Sequence, residues 1–132
     1  MKTACVFCVV LVAAIAASAE EASSAVDEIV QKRDALLARI LEVTKNQVKA
    51  GSASYGQVRD ATVKLYAFRR DIAKTNPERI QWQERIVAAE KESKDAAAKS
   101  LALGLASPID PLLAEEQLLE AEQKLLELKT LK

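Results

Sequence analysis

The chain has 132 residues, of which 19 are Lys or Arg, 19 are Asp or Glu and none is His. The balanced charge argues against the strong positive field with which proteins attract nucleic acid or an anionic membrane, and aromatic residues, at 4%, are too few for a platform on which bases stack. Without histidine the chain lacks the commonest general base and metal ligand, so neither a cofactor nor a metal is expected.

The first 19 residues have the layout of a signal peptide. A basic second residue precedes the apolar run Ala4–Ala16, which is shorter than the roughly 20 residues that span a bilayer. Ala17-Ser18-Ala19 then offers an A-x-A cleavage pattern, which predicts a cut between Ala19 and Glu20. We therefore expect an exported protein whose mature part, residues 20–132, is one small domain.

Both cysteines, Cys5 and Cys8, lie inside the predicted signal peptide. The mature chain would then contain no cysteine, so it could form no disulfides and would depend on packing or on partners. No cysteine lies near the cleavage point either, which argues against a lipid-anchored protein.

The first predicted helix covers residues 24–50. Ser24 is a candidate N-cap, and Gly51 is the predicted residue just after the helix because glycine readily takes the left-handed conformation there. The apolar residues recur at steps of three and four, as in an amphipathic helix: Val26, Ile29, Val30, Leu37, Ile40, Leu41, Val43 and Val48.

The second helix is predicted over residues 55–74. Ser54 and Gln57 at its start have the S-x-x-Q spacing of a capping box. Four cations stand near the turn that follows, where they either complement the helix dipole or contact an anion or lipid headgroup: Arg69, Arg70, Lys74 and Arg79.

The third helix is predicted over residues 77–103. Thr75 or Asn76 can cap it, and Pro77 suits the first helical position. Its apolar face is thin and rich in alanine, which allows close helix approach but buries little area per residue. Trp82, the one tryptophan, is interpreted as a packing anchor.

Gly104 is predicted to end the third helix before a fourth over residues 108–130. Ser107 and Asp110 repeat the capping-box spacing; alternatively, Asp110 itself is the cap and Pro111 the first helical residue. The leucines of this helix spread over more than one side, so it should contact two neighbours or expose a strip for a partner. The candidate strip consists of Leu118, Leu119, Leu125 and Leu126.

The predicted fold class is all-α. No segment alternates apolar and polar residues for long enough to form a strand, and no β-barrel is expected. Short turns make neighbouring helices antiparallel, which gives two helical hairpins from four helices. These hairpins are either elongated or arranged like a four-helix bundle.

The residues that mark a turn occur twice, 53 positions apart. Gly51 matches Gly104, and Ser54 matches Ser107. The shared positions include the helix stop, the cap and the first buried turns. Repetition of a helix–turn–helix unit indicates duplication. The other matched pairs are Ala53 with Ala106, Gln57 with Asp110, Ala61 with Ala114 and Leu65 with Leu118.

Residues 104–114 carry the pattern G-x-x-S-x-x-D-x-L-x-A, which precedes the stretch LEAEQKLLEL. This pattern resembles the helical-hairpin segments of outer-membrane efflux (TolC-like) proteins, and residues 76–128 are similar to small exported helical proteins that share it. In the efflux proteins, the duplicated pattern marks turns between long periplasmic helices whose tips meet an adaptor. The resemblance implies helical hairpins in a bacterial envelope.

The second copy of the pattern, residues 51–61, departs from it at two positions. Gln57 replaces the acid and Arg59 replaces the leucine. Efflux proteins are also several-fold longer and carry membrane strands, for which this chain has no matching segments. The resemblance therefore supports helical hairpins and does not extend to efflux activity.

The residues of the chain form no recognisable catalytic motif, so we do not expect an enzyme. Ser54 and Ser107 have no histidine to activate them and suit caps, and the acids of the fourth helix suit a solvated face. We expect a structural or interaction protein in the periplasm or on the extracytoplasmic side of a bacterial envelope. It would bind a protein partner or itself through the leucine strip or the turns, and would contact a membrane, if at all, without spanning it. The alternative is an amphipathic bundle that binds lipid or a small apolar ligand.

Overall fold

The structure, a computed structural model, describes residues 6–131 and, from Ala22 onward, their side chains. Those residues contain four helices and no strand, so the predicted all-α fold is confirmed. Within the same part of the chain, no helix combines the length and the apolarity needed to cross a membrane. The helices are α1 (Val6–Lys49), α2 (Tyr55–Ile72), α3 (Asn76–Ala102) and α4 (Ile109–Thr130).

Helix α1 begins well before the predicted start at residue 24. Ser24 therefore lies inside the helix and caps nothing. The intervening residues are alanine, glutamate, serine and apolar side chains, without the Gly or Pro that would stop a helix. The predicted cleavage between Ala19 and Glu20 concerns residues outside the described side chains and stays a prediction.

The chain divides into two compact units, Met1–Ala35 and Leu36–Lys132. The second unit contains the end of α1 and all of α2, α3 and α4. Its turns are short, as the bunched Gly and Pro residues predict.

Helix α3 packs on α2 and on α4, whereas α2 and α4 do not pack on each other. Both neighbours run antiparallel to α3, as the short connections predict. The start of α3 lies beside the end of α4, where Asn76 contacts Leu128. The buried apolar side chains of the three helices are Leu65, Phe68, Ile86, Ala114, Leu118, Ala121 and Leu128.

Local capping sets the starts of α2 and α3. The predicted box at Ser54 and Gln57 is present with both of its hydrogen bonds. For α3 the cap is Thr75, whose hydroxyl accepts from the Glu78 backbone while the Glu78 carboxylate accepts the Thr75 backbone N–H. This second box follows the T-x-x-E spacing, which the sequence contains but the prediction did not use.

Candidate functional site

The leucines of α4 separate onto two faces. Leu118 is 7% exposed and lies toward α3, whereas Leu119 is 59% exposed. Each residue advances about 100° around a helix of 3.6 residues per turn, so adjacent leucines cannot share a face. The predicted strip is corrected accordingly: Leu118 and the half-buried Leu125 belong to the packed face, and Leu119 and Leu126 to the exposed one.

The exposed face carries a regular row of large apolar side chains. Leu112, Leu119 and Leu126, here called the outer leucine row, are 64%, 59% and 65% exposed. Their seven-residue spacing places successive leucines about 10.5 Å apart along the helix. Carboxylates border the row: Glu115 and Glu122 on one side, Glu116, Glu120 and Glu127 on the other.

The turn between α3 and α4 adds further exposed apolar surface. Gly104 has a positive φ of 71° and ends α3 with two hydrogen bonds of the Schellman type, Gly104 N to Leu101 O and Leu105 N to Ser100 O. Four large apolar side chains at or beside this turn are exposed: Leu103, Leu105, Ile109 and Leu113.

The predicted capping box at this turn is only half formed. The Asp110 carboxylate accepts the Ser107 backbone N–H at 2.9 Å. The Ser107 hydroxyl, however, lies 3.5 Å from the Ile109 nitrogen, and the Asp110 N–H donates to the Ser107 carbonyl instead. Pro108, between Ser107 and Ile109, already has helical backbone angles, and no side chain caps the first turn of α4.

The turn between α1 and α2 closes by the same backbone bonds. Gly51, with φ of 74°, donates to Val48 O, and Ser52 donates to Gln47 O. These are the two bonds of a Schellman motif, and they match those at Gly104. The residues that sequence analysis selected at both turns therefore stabilise the chain's own backbone.

A buried ion pair joins α2 to α3. The guanidinium of Arg59 donates to both carboxylate oxygens of Glu90, from Nε at 2.8 Å and from Nη2 at 2.6 Å, and Glu90 is 3% exposed. Burial lowers the pKa of Arg59, but the hydrogen bonds that Arg59 donates to Glu90 and Asp60, with the attraction of their charges, raise it above its ordinary value. In the sequence, Arg59 stands out only as a departure from the efflux pattern, and nothing near it in the chain indicates that Glu90 is its partner.

A second polar connection passes through Gln83 on α3. Its side-chain oxygen accepts from Arg70 of α2 at 2.7 Å, and its nitrogen donates to the Ala121 carbonyl of α4 at 2.8 Å. Arg79 also bonds within the chain, to the Ala73 carbonyl. These two of the four clustered cations thus have partners in the protein, which weakens the anion-site interpretation.

Trp82 packs among cations and an aromatic ring. Its ring centre lies 5.6 Å from that of Tyr66. The guanidinium carbons of Arg69 and Arg85 lie 5.2 and 4.5 Å from the tryptophan ring, close enough for cation–π attraction. The geometry fits a packing anchor between α2 and α3.

Surface ion pairs tie α3 to α4 on either side. Lys94 meets Glu115 at 2.8 Å, and Lys129 meets Glu84 at 3.0 Å. The hydrogen bond to Glu115 raises the pKa of Lys94. Within α4, hydrogen bonds from Gln123 and then Lys124 lower the pKa of Glu127.

Among the described residues, no three His, Cys, Asp or Glu side chains are grouped so as to hold a metal ion.

An open groove of about 580 Å³ lies where the end of α1 meets α2 and α3. Its lining includes Val48, Val58 and Tyr66 and also two lysines of α1, Lys45 and Lys49. A concave, largely apolar surface with a few charged groups is the general form of a small-molecule site.

Comparison of the chain with protein-family models, curated proteins and solved structures finds no match in any of the three.

Proposed function

We propose that this chain is a non-enzymatic structural or interaction protein, exported to a bacterial envelope, that binds a helical partner through the outer leucine row. The observation that carries the proposal is the exposure of Leu112, Leu119 and Leu126 at heptad spacing. Burial of a leucine side chain is worth about 1.5–3 kcal/mol. A row of leucines repeated every seven residues supplies one of the two apolar positions per heptad at which packed helices meet.

Two features of the sequence support the envelope location. Residues 1–19 have the signal-peptide layout, and residues 104–114 carry the pattern that resembles TolC-like hairpins. The exposed apolar side chains near Gly104 extend the interaction surface to the hairpin tip. A tip of this kind favours contact with another protein over free exposure to water.

The polar groups of the described residues favour a structural role over a catalytic one. The Ser54 hydroxyl caps α2, and the Asp110 carboxylate accepts a backbone N–H at the start of α4. Glu90, the buried carboxylate, is neutralised by Arg59. These contacts use the groups that would otherwise be the strongest candidates for acid–base or nucleophilic chemistry.

The test is the apparent size of the protein in a native extract of the producing organism. Wild-type protein should elute within an assembly larger than the free chain. Exchange of the three outer leucines for serine should release it, because the apolar seam is lost. The matched control replaces three exposed polar residues of α3 by serine and should leave the assembly intact: Lys91, Asp95 and Lys99. Wild-type protein that elutes alone, or a leucine variant that stays in the assembly, would contradict the proposal.

A second candidate function is the binding of a small apolar anion in the groove between α1, α2 and α3. The observation that favours it is a lining that combines apolar side chains with the cations Lys45 and Lys49. Anilinonaphthalene sulfonate, an apolar anionic fluorophore, is a suitable probe. Saturable binding to the wild type that is lost in Val58→Glu and kept in Lys64→Glu would support this function. Equal binding to all three proteins would reject it.

A further inference from the structure

We propose that the helix seated on the outer leucine row is α1 of a second copy of this chain. The inference rests on the proposed function and names the partner of the same surface. It follows from the charges that border the row and from a second exposed apolar face within residues 36–132.

The borders of the outer leucine row are acidic. Helix α4 contains two lysines, Lys124 and Lys129, against six carboxylates: Asp110, Glu115, Glu116, Glu120, Glu122 and Glu127. If two α4 helices met face to face about Leu119, Glu115 of one would approach Glu122 of the other. Like charges across a contact between helices are destabilising. The outer leucine row therefore disfavours pairing with the same row of a second chain and favours a helix with basic borders.

The last part of α1 offers an apolar face of that kind. Leu36, Ile40 and Val43 are 59%, 43% and 46% exposed, and their spacing of four and then three residues places them on one side of the helix. Arg39 borders this outer face of α1, whereas the other two cations of residues 36–49, Lys45 and Lys49, line the groove described above.

The outer face of α1 is distinct from the face that α1 uses within its own unit. Leu41 is buried, and the side chains that share its side of the helix are half-buried: Leu37, Thr44 and Val48. Leu36, Ile40 and Val43 therefore keep their apolar surface available. Both surfaces are exposed and apolar, and the acidic borders of the row are complementary in charge to Arg39 at the border of the outer face of α1.

Two such contacts close a symmetric pair. When α4 of one copy packs on α1 of the other, a two-fold axis creates the reciprocal contact, so both apolar faces of each copy are covered. Closure also explains why the two faces occur on one chain, since each would otherwise need its own partner.

The test is sedimentation equilibrium of the purified exported protein with charge exchanges. Wild-type protein should dimerise, and Arg39→Glu should raise the dissociation constant at least about tenfold, because it places an acid against the acidic borders of the row. The double variant Glu116→Lys, Glu122→Lys should raise it similarly. Combination of all three changes should restore it to within about threefold of the wild type. The matched control, Lys64→Glu, reverses a charge on the exposed surface of α2 and should not alter it.

The outcomes separate this inference from the proposed function. A monomeric wild type, or a combined variant that dimerises no better than its parents, would overturn pairing with a second copy. If the leucine variants still release the protein from its assembly in a native extract, the proposed function stands with a different partner. If they release nothing and the purified protein is monomeric, both fall.

Discussion

At Arg59 and Glu90, two charged side chains meet across 31 residues of sequence and are largely withdrawn from water. The free energy lost when both charges leave water offsets much of their Coulomb attraction. The pair therefore contributes more to the register of α2 against α3 than to net stability. The bidentate contact is satisfied in one register of α2 against α3. Sequence analysis predicted caps at Ser54 and at Thr75 or Asn76 because capping is local. It could not predict this pair, since the register of two helices must be known first.

Removal of Glu90 alone should therefore be costly. Glu90→Leu leaves the Arg59 guanidinium with only Asp60 as a partner, and the free energy of unfolding should fall by about 2–3 kcal/mol, with Arg59's partial exposure moderating the loss. The double variant Arg59→Met, Glu90→Leu removes both charges and should lie within about 1 kcal/mol of the wild type. Chemical denaturation checks both values. A double variant as unstable as the single one would show that the charges themselves stabilise the fold.

Several helix ends are marked by residues that can be recognised in the sequence. Gly51 and Gly104 both end a helix with a positive φ, and both were predicted to do so. The start of α1 was not predicted, because the residues before Ser24 contain no break. The faces of α4 were also not predicted, because its leucines recur on several sides and only the position of α3 decides which are buried.

The three glycines allow a matched comparison. An added Cβ meets nothing within 4 Å at Gly51 or Gly104, so the cost of alanine there comes from the positive φ alone, about 1–2 kcal/mol each. Gly56, in the first turn of α2, has no positive φ, and Gly56→Ala should instead stabilise the protein by about 0.5–1 kcal/mol. Thermal unfolding of the three variants checks the signs. A loss at Gly56 equal to that at Gly104 would contradict the conformational explanation.

Alanine substitutions at the adjacent residues Leu118 and Leu119 test whether α4 has one packed and one exposed apolar face. Leu118→Ala should lower the free energy of unfolding by about 2–4 kcal/mol because it leaves a cavity against α3. Leu119→Ala should change it by less than about 0.5 kcal/mol in dilute solution, where no partner covers the side chain. Similar losses for both variants would mean that Leu119 belongs to the core of the single chain.

Across residues 36–132, more large apolar side chains are exposed than buried. The core contributes Leu41, Leu65, Phe68, Ile86, Leu118 and Leu128, with Ala114 and Ala121 between the helices. Exposed counterparts occur on α1, near Gly104 and along α4. The all-α class followed from the periodicity of apolar residues, but the surplus on the surface depends on tertiary packing and was visible only as an excess of leucine in α4. Large exposed apolar patches on soluble proteins generally mark interaction sites, and this surplus is the basis of the proposed docking surface.

The role of the outer leucine row can be measured by photo-crosslinking in the producing organism. Benzoylphenylalanine placed at Leu119 reacts with whatever lies on the row, and the same group at Lys64 reports on the exposed polar surface of α2. We expect a discrete adduct at position 119 and none at position 64, and an adduct of twice the chain mass if the partner is a second copy. The absence of an adduct at position 119, or equal labelling at both positions, would contradict a docking role for the row.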